Sequence, residues 1–101
     1  MTAFFHGTSE DSATEIKENG FSTEMVFFTP RKDVAEEYGE EVVAVYVDTD
    51  DLMIDLDMAG ATGMSVDEAN AYLNNEEWDI NNYINAGYSL CAKVENVRVA
   101  K

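Results

Sequence analysis

The run EVVAVYVD, residues 41–48, constrains the fold of this chain more than any other stretch. Valines, alanine and tyrosine follow one another with no helix-type spacing. Branched side chains are stiff at χ1 and fit a pleated surface. The segment is therefore a strand, and its near-continuous apolar content predicts burial on both faces. The rest of the chain must supply the layers that cover it.

The flanking segments supply both strands and helices. Phe4 and Phe5 open a short strand, and SEDSATEIKENGF predicts a helix after it. Ser9 or Ser12 can cap that helix, Ser12 and Glu15 having capping-box spacing. Ala13 and Ile16 fall on one face, and Gly20 is placed to stop it. EMVFFT predicts a strand. Thr29 then caps, and Pro30 opens, a second helix, PRKDVAEEYG, ended by Gly39, with Val34, Ala35 and Tyr38 on its inner face.

DLMIDLD alternates apolar with acidic residues and predicts a strand, and MAGATG is a loop. Ser65 and Glu68 form a capping box for a helix through about Leu73. NNEE interrupts it. WDINNYINAG predicts a further short helix, with Ile80, Tyr83 and Ile84 on one face and Gly87 at its end. YSLCAKV and NVRVA close the chain as one or two strands. The order is α+β, without the regular alternation of a doubly wound sheet. A chain of 101 residues suffices for one domain, residues 1–101, and not for two.

Charge narrows the function classes. The net charge is −15, from 6 basic and 21 acidic residues. Such a surface repels phosphate backbones and anionic membranes and favours a protein partner with a basic surface. Direct nucleic-acid binding and membrane binding are not expected. Solubility alone is one reading of the acidity; imitation of nucleic acid in a partner's basic groove is the other. Asp48, Asp50, Asp51, Asp55 and Asp57 crowd into VDTDDLMIDLD and are the candidate acidic partner surface. Asp55 and Asp57 do not match a calcium loop, so they predict a solvated strand face, and no metal site is expected. One cysteine, Cys91, cannot form an internal disulfide, which fits a cytoplasmic location. Its apolar neighbours predict burial. No apolar run is long enough to span a bilayer, and no secretory signal opens the chain.

The remaining signal is FFHGTS, residues 4–9. The only histidine, His6, ends a strand and meets a glycine. Gly7 lets a ligand approach the backbone, and Thr8 and Ser9 lead into a helix start, which suits anionic groups.

FFHGTS…A…I…NGF, VFFTPRKDVAEEYG and VVAVYVD together resemble the opening half of the ADP-ribosyltransferase superfamily. Poly-ADP-ribose polymerases, diphtheria-type toxins and RNA 2′-phosphotransferases belong to it. The resemblance covers roughly residues 4–57, with an echo at NAGYSLCAKVEN. It implies a split β-sheet core with short flanking helices and NAD as the substrate. It implies that His6 holds the nicotinamide ribose, that the Gly7 backbone clasps the carboxamide, and that Thr8 lies beside them. Phe27, with Phe28 beside it, falls where one ring of an aromatic sandwich stands, and Tyr38 matches the other. Arg31 lies near enough in sequence to meet phosphate. The catalytic glutamate of the family opens a late strand. In one register that place falls at Tyr88 or Ser89, neither acidic; Glu95 is the glutamate of the last strand region, and Glu76 and Glu77 precede Trp78. Two functions follow: a small NAD-dependent mono-ADP-ribosyltransferase-like protein modifying a macromolecule, as a phage-type effector would, or a degenerate member acting through its charge as an inhibitor or nucleic-acid mimic.

Overall fold

The structure, a computed structural model, describes residues 2–56 and 63–100. Its fold is α+β: short helices pack on two antiparallel sheets of three strands each. The first sheet has the order β1 (Thr2–Thr8), β3 (Glu41–Val47), β6 (Arg98–Val99); the second has β2 (Met25–Phe28), β5 (Leu90–Lys93), β4 (Met53–Ile54). The last apolar segments are thus two strands, and a 3₁₀ turn at Val94–Asn96 carries the chain from one sheet to the other.

β3 forms where its composition predicts, but only one of its faces is deeply buried. Val43, Val45 and Val47 are fully buried, whereas Tyr46 is exposed and Val42 and Ala44 are half-buried. The cause is the layering. Helix α1 (Glu10–Asn19) covers one face, bringing Ala13 and Ile16 onto Phe4 and the three valines. Among the described residues no element covers the opposite face over the whole length of the strand, so the expectation of two-sided burial is corrected to alternation.

Ser9 is the N-cap of α1, its hydroxyl accepting from the Ser12 N–H at 3.2 Å, and Gly20 ends the helix at φ 81°. The second helix is shorter than predicted. Thr29 is held to β1 by paired backbone bonds to Phe5, so the chain is still extended there. Helix α2 therefore spans only Lys32–Glu36, with Arg31 at its N-cap. The Thr29 hydroxyl still accepts from the Arg31 N–H at 3.2 Å. Tyr38 lies past the helix and is exposed, not on an inner face; Ala35 is buried and Val34 half-buried.

DLMIDLD pairs over only two residues, Met53–Ile54, after a 3₁₀ turn at Thr49–Asp51. The loop predicted at MAGATG lies outside the described residues apart from Gly63 and, in part, its flanks. Both bonds of the Ser65–Glu68 capping box form at the start of α3 (Val66–Leu73). Asp79 and Asn82 cap α4 (Ile80–Ala86) in the same reciprocal way, and Gly87 ends it at φ 82°. Tyr83 is fully buried, with its hydroxyl donating to Asn70 Oδ1 and its ring edge-on to Trp78 and Tyr88. One apolar core joins the inner faces of both sheets to these helices. Among the described residues, no helix is long and apolar enough to cross a membrane.

Candidate functional site

Among the described residues, one backbone bridge joins the two sheets. Phe5 N–H donates to Thr29 O at 2.8 Å, and Thr29 N–H donates to Phe5 O at 2.9 Å. Pairing between β1 and β2 stops there. At this fork lies an open cavity of about 250 Å³. Strand β1 supplies Phe5, His6 and Gly7 to its wall, and β2 with its exit supplies Phe27, Phe28 and Thr29. The α2 region adds Ala35 and Tyr38, and the β4 and β5 ends add Asp55 and Ser89.

His6 crosses the fork. Its Nδ1–H donates to the Phe27 carbonyl at 2.7 Å, and its ring meets Phe21 edge-on at 5.0 Å. A carbonyl can only accept, so Nδ1 carries the proton and Nε2 is the nitrogen left for a ligand. The imidazole also borders a second depression between α1 and β2, where Thr8, Glu15 and Phe21 lie. Thr8 borders that depression and is not among the residues that line the fork.

Gly7 has two roles. A Cβ there would sit 1.9 Å from the Ala35 carbonyl oxygen and 3.1 Å from Tyr38 Cβ, so only glycine lets α2 pack directly on β1. Its polar groups face elsewhere. Phe5 spends its own N–H and C=O on Thr29, so Phe5↔Ala44 is a non-hydrogen-bonded pair of the β1–β3 ladder. Ala44 agrees: its carbonyl accepts from Ala100 on the opposite side at 2.9 Å. Antiparallel pairs alternate, so Gly7↔Val42, two residues on, is non-bonded as well. The N–H and C=O of Gly7 therefore point along the edge that carries the Phe5–Thr29 bridge. No backbone partner meets them on that edge among the described residues.

The aromatic candidates divide. Phe28 faces the core and packs on Phe4 with ring centroids 5.1 Å apart; Phe27, on the other face of β2, is 37% exposed. Tyr38 is 58% exposed. Of the two phenylalanines, Phe27 is thus the ring presented to solvent, as period-two alternation requires.

The carboxylate in the cleft is Asp55, half-buried and not on a solvated strand face. Its N–H donates to Ser89 O at 2.9 Å, which ties the ends of β4 and β5 together. Ile54 pairs with Leu90 in the core, so Asp55 falls on the opposite face, beside Phe27. The alternation of MID carried that facing; the covering of that face was not legible. Beneath lies Cys91, fully buried, its thiol pushed up to about 11 by burial and then by the charge of Asp55. Burial and this shift together make it an inert thiol.

Other candidates lie elsewhere. Glu95 borders a separate depression with Glu24, Met25, Met53, Lys93 and Val94. The Arg31 guanidinium is held by Asp33, at 3.2 and 2.8 Å, and the hydrogen bonds keep the Asp33 carboxyl below its usual value. Lys32 lies among Glu36, Glu40 and Glu41. Neither the fork nor the depression beside it is lined by lysine or arginine among the described residues. Asp48 and Asp50 are exposed and Asp51 half-buried around the Thr49–Asp51 turn, apart from Asp55; Asp57 is outside the described residues. No group of three histidine, cysteine, aspartate or glutamate residues gathers as a metal site among the described residues.

Compared with known proteins, the chain matches no family model, no curated protein and no solved structure.

Proposed function

We propose that this chain is a small ADP-ribosyltransferase-like protein whose fork between the sheets takes the nicotinamide end of NAD. One observation carries the reading: His6, Gly7, Phe27 and Tyr38, drawn from three separate stretches of sequence, line a single cleft. The Gly7 N–H and C=O facing one edge suit a carboxamide, which offers one acceptor and two donors. His6 Nε2 is left to meet a ribose hydroxyl. Phe27 and Tyr38 offer exposed aromatic surface for a planar ring. Two sheets meeting at a single bridge fit the split-sheet core of that superfamily.

In this reading the carboxylate near the reacting bond is Asp55, because Glu95 borders another depression and Ser89 stands where β5 opens. Breaking the bond to nicotinamide leaves positive charge on the ribose, which a nearby carboxylate stabilises. The test is direct. Purified protein incubated with NAD should release nicotinamide, and His6→Ala should lower the rate on the order of a hundredfold. Absence of both binding and release would reject the reading.

A second reading is favoured by one specific observation: among the described residues no lysine or arginine lines the cleft, and Arg31 is engaged by Asp33. A dinucleotide pyrophosphate would find no cation there. The chain would then be a binding protein that meets a basic target through Asp48, Asp50 and Asp51. Salt-sensitive association with such a target, unaffected by His6→Ala, is its test.

A further inference from the structure

We propose that the apolar groove lined by Trp78, between the Thr49–Asp51 turn and the starts of α3 and α4, docks an arginine-bearing segment of a basic protein. The inference rests on the second reading, a chain that meets a basic target, and names the place and the side chain.

The groove has a volume of about 600 Å³, room for a side chain together with its neighbours. Met53, Val66, Trp78 and Ile80 line it and are half-buried, so apolar surface stays open to water there. The indole is a fixed platform. Its ring meets Tyr83 edge-on at 5.0 Å and Tyr88 at 6.4 Å, and Asn70 Nδ2 donates to the Trp78 carbonyl at 2.9 Å. A surface already ordered loses little freedom when a partner arrives.

Charge names the occupant. Asp50, Asp51 and Asp79 line the same groove, with Lys93 as the opposing cation. Among the described residues no ion pair joins Lys93 to any of them. Asp79 gives one oxygen to the Asn82 N–H at 3.1 Å as the cap of α4, so Asp50 and Asp51 carry most of the attraction. A second copy of this chain would bring its own charge of −15 and be repelled, as would a nucleic acid. An arginine suits both features. Its guanidinium plane stacks on an indole face, and its N–H groups fork onto a carboxylate. Apolar residues beside it would cover Met53 and Ile80.

The experiment uses the whole chain and two peptides of alternating leucine and arginine, one of them with citrulline in place of every arginine. Citrulline keeps the size and loses the charge. Trp78 is the only tryptophan, so its fluorescence reports occupancy of the groove, while calorimetric titration gives the affinity. At low ionic strength the arginine peptide should change the fluorescence and bind at least about tenfold more tightly than the citrulline peptide. Asp50→Asn combined with Asp51→Asn should remove most of that preference. Glu10→Gln combined with Asp11→Asn takes the same charge from α1, outside the groove, and should leave the preference nearly intact. Equal loss in both double variants overturns the groove and leaves the acidic-surface reading standing. Calorimetric binding without a change in Trp78 fluorescence does the same. Equal affinity for the two peptides overturns the choice of a cation. Failure of the arginine peptide to bind rejects the groove and the acidic-surface reading together.

Discussion

The Nδ1 of His6 donates to the carbonyl oxygen of Phe27 at 2.7 Å, across the fork between the two sheets. This side-chain bond stands next to the backbone bridge of Phe5 and Thr29 and ties β1 to β2 once more. It also fixes the proton on Nδ1, so that Nε2 is the ring nitrogen outside this tie. His6→Ala removes a bond that contributes about 1 kcal/mol. Melting should fall by roughly 4–8 °C, the usual response of a domain this size to such a loss. Nicotinamide release should fall far more than that change explains. A variant that melts lower and turns over NAD unchanged would leave His6 a structural tie only.

Gly7→Ala tests the close packing of α2. The added methyl would lie 1.9 Å from the Ala35 carbonyl oxygen, which belongs to backbone and cannot swing aside. Overpacking of this kind costs about 1–3 kcal/mol. Chemical denaturation should show that loss, and ring binding should weaken with it, because Ala35 and Tyr38 both line the fork. Undiminished stability would mean that α2 does not sit on β1 as described.

Glu95→Gln and Asp55→Asn separate the two carboxylates. Glu95 borders a depression that shares no residue with the fork, so its variant should release nicotinamide at the wild-type rate. Asp55→Asn should lower the rate on the order of a hundredfold. A single-turnover assay with NAD checks both, and the reverse outcome would return the acid to Glu95.

Salt should act in opposite directions on two ligands. NAD carries net negative charge and approaches a chain of net charge −15. Screening, over about 8 Å at physiological ionic strength, should strengthen NAD binding and weaken the binding of 1-methylnicotinamide, a small organic cation with the same ring. Titrations at low and high salt check the signs. Any basic protein partner should follow the cation, losing affinity as salt rises.

Cys91 predicts a pH effect on stability. Its thiol is raised from 9.0 to about 11 in the fold, first by burial and then by the charge of Asp55. Between those values the unfolded chain gives up the proton while the folded chain keeps it. Stability from this group is therefore full below pH 9.0 and is lost as pH rises toward about 11. Denaturation of wild type and Cys91→Ala at pH 8 and pH 10.5 should show the wild type losing more. At neutral pH the folded chain should resist thiol reagents until denaturant is added.

Local chemistry was enough to read most elements. The valine run of β3, the capping pair Ser65 and Glu68, and the stop at Gly87 each depend on neighbours within a few residues. The length of α2 was not readable, because Thr29 is claimed by Phe5, a residue far back in the chain. The one-sided burial of β3 had the same kind of cause: composition cannot say what covers a face. For the site, FFHG and AEEYG marked residues that line the fork: a histidine before a glycine is a local pattern, whereas Tyr38 was marked by resemblance to a family. Alternation separated Phe27 from Phe28 once the strand was known. The sequence by itself thus determined most element types and the −15 charge, and it marked His6, Gly7, Phe27 and Tyr38 as site candidates. Only the tertiary structure decided that Asp55 enters the cleft and that Glu95 stays outside it. Those outcomes depend on which strands pair across long loops, and pairing is set by the shared core, not by the residues beside each group in the chain.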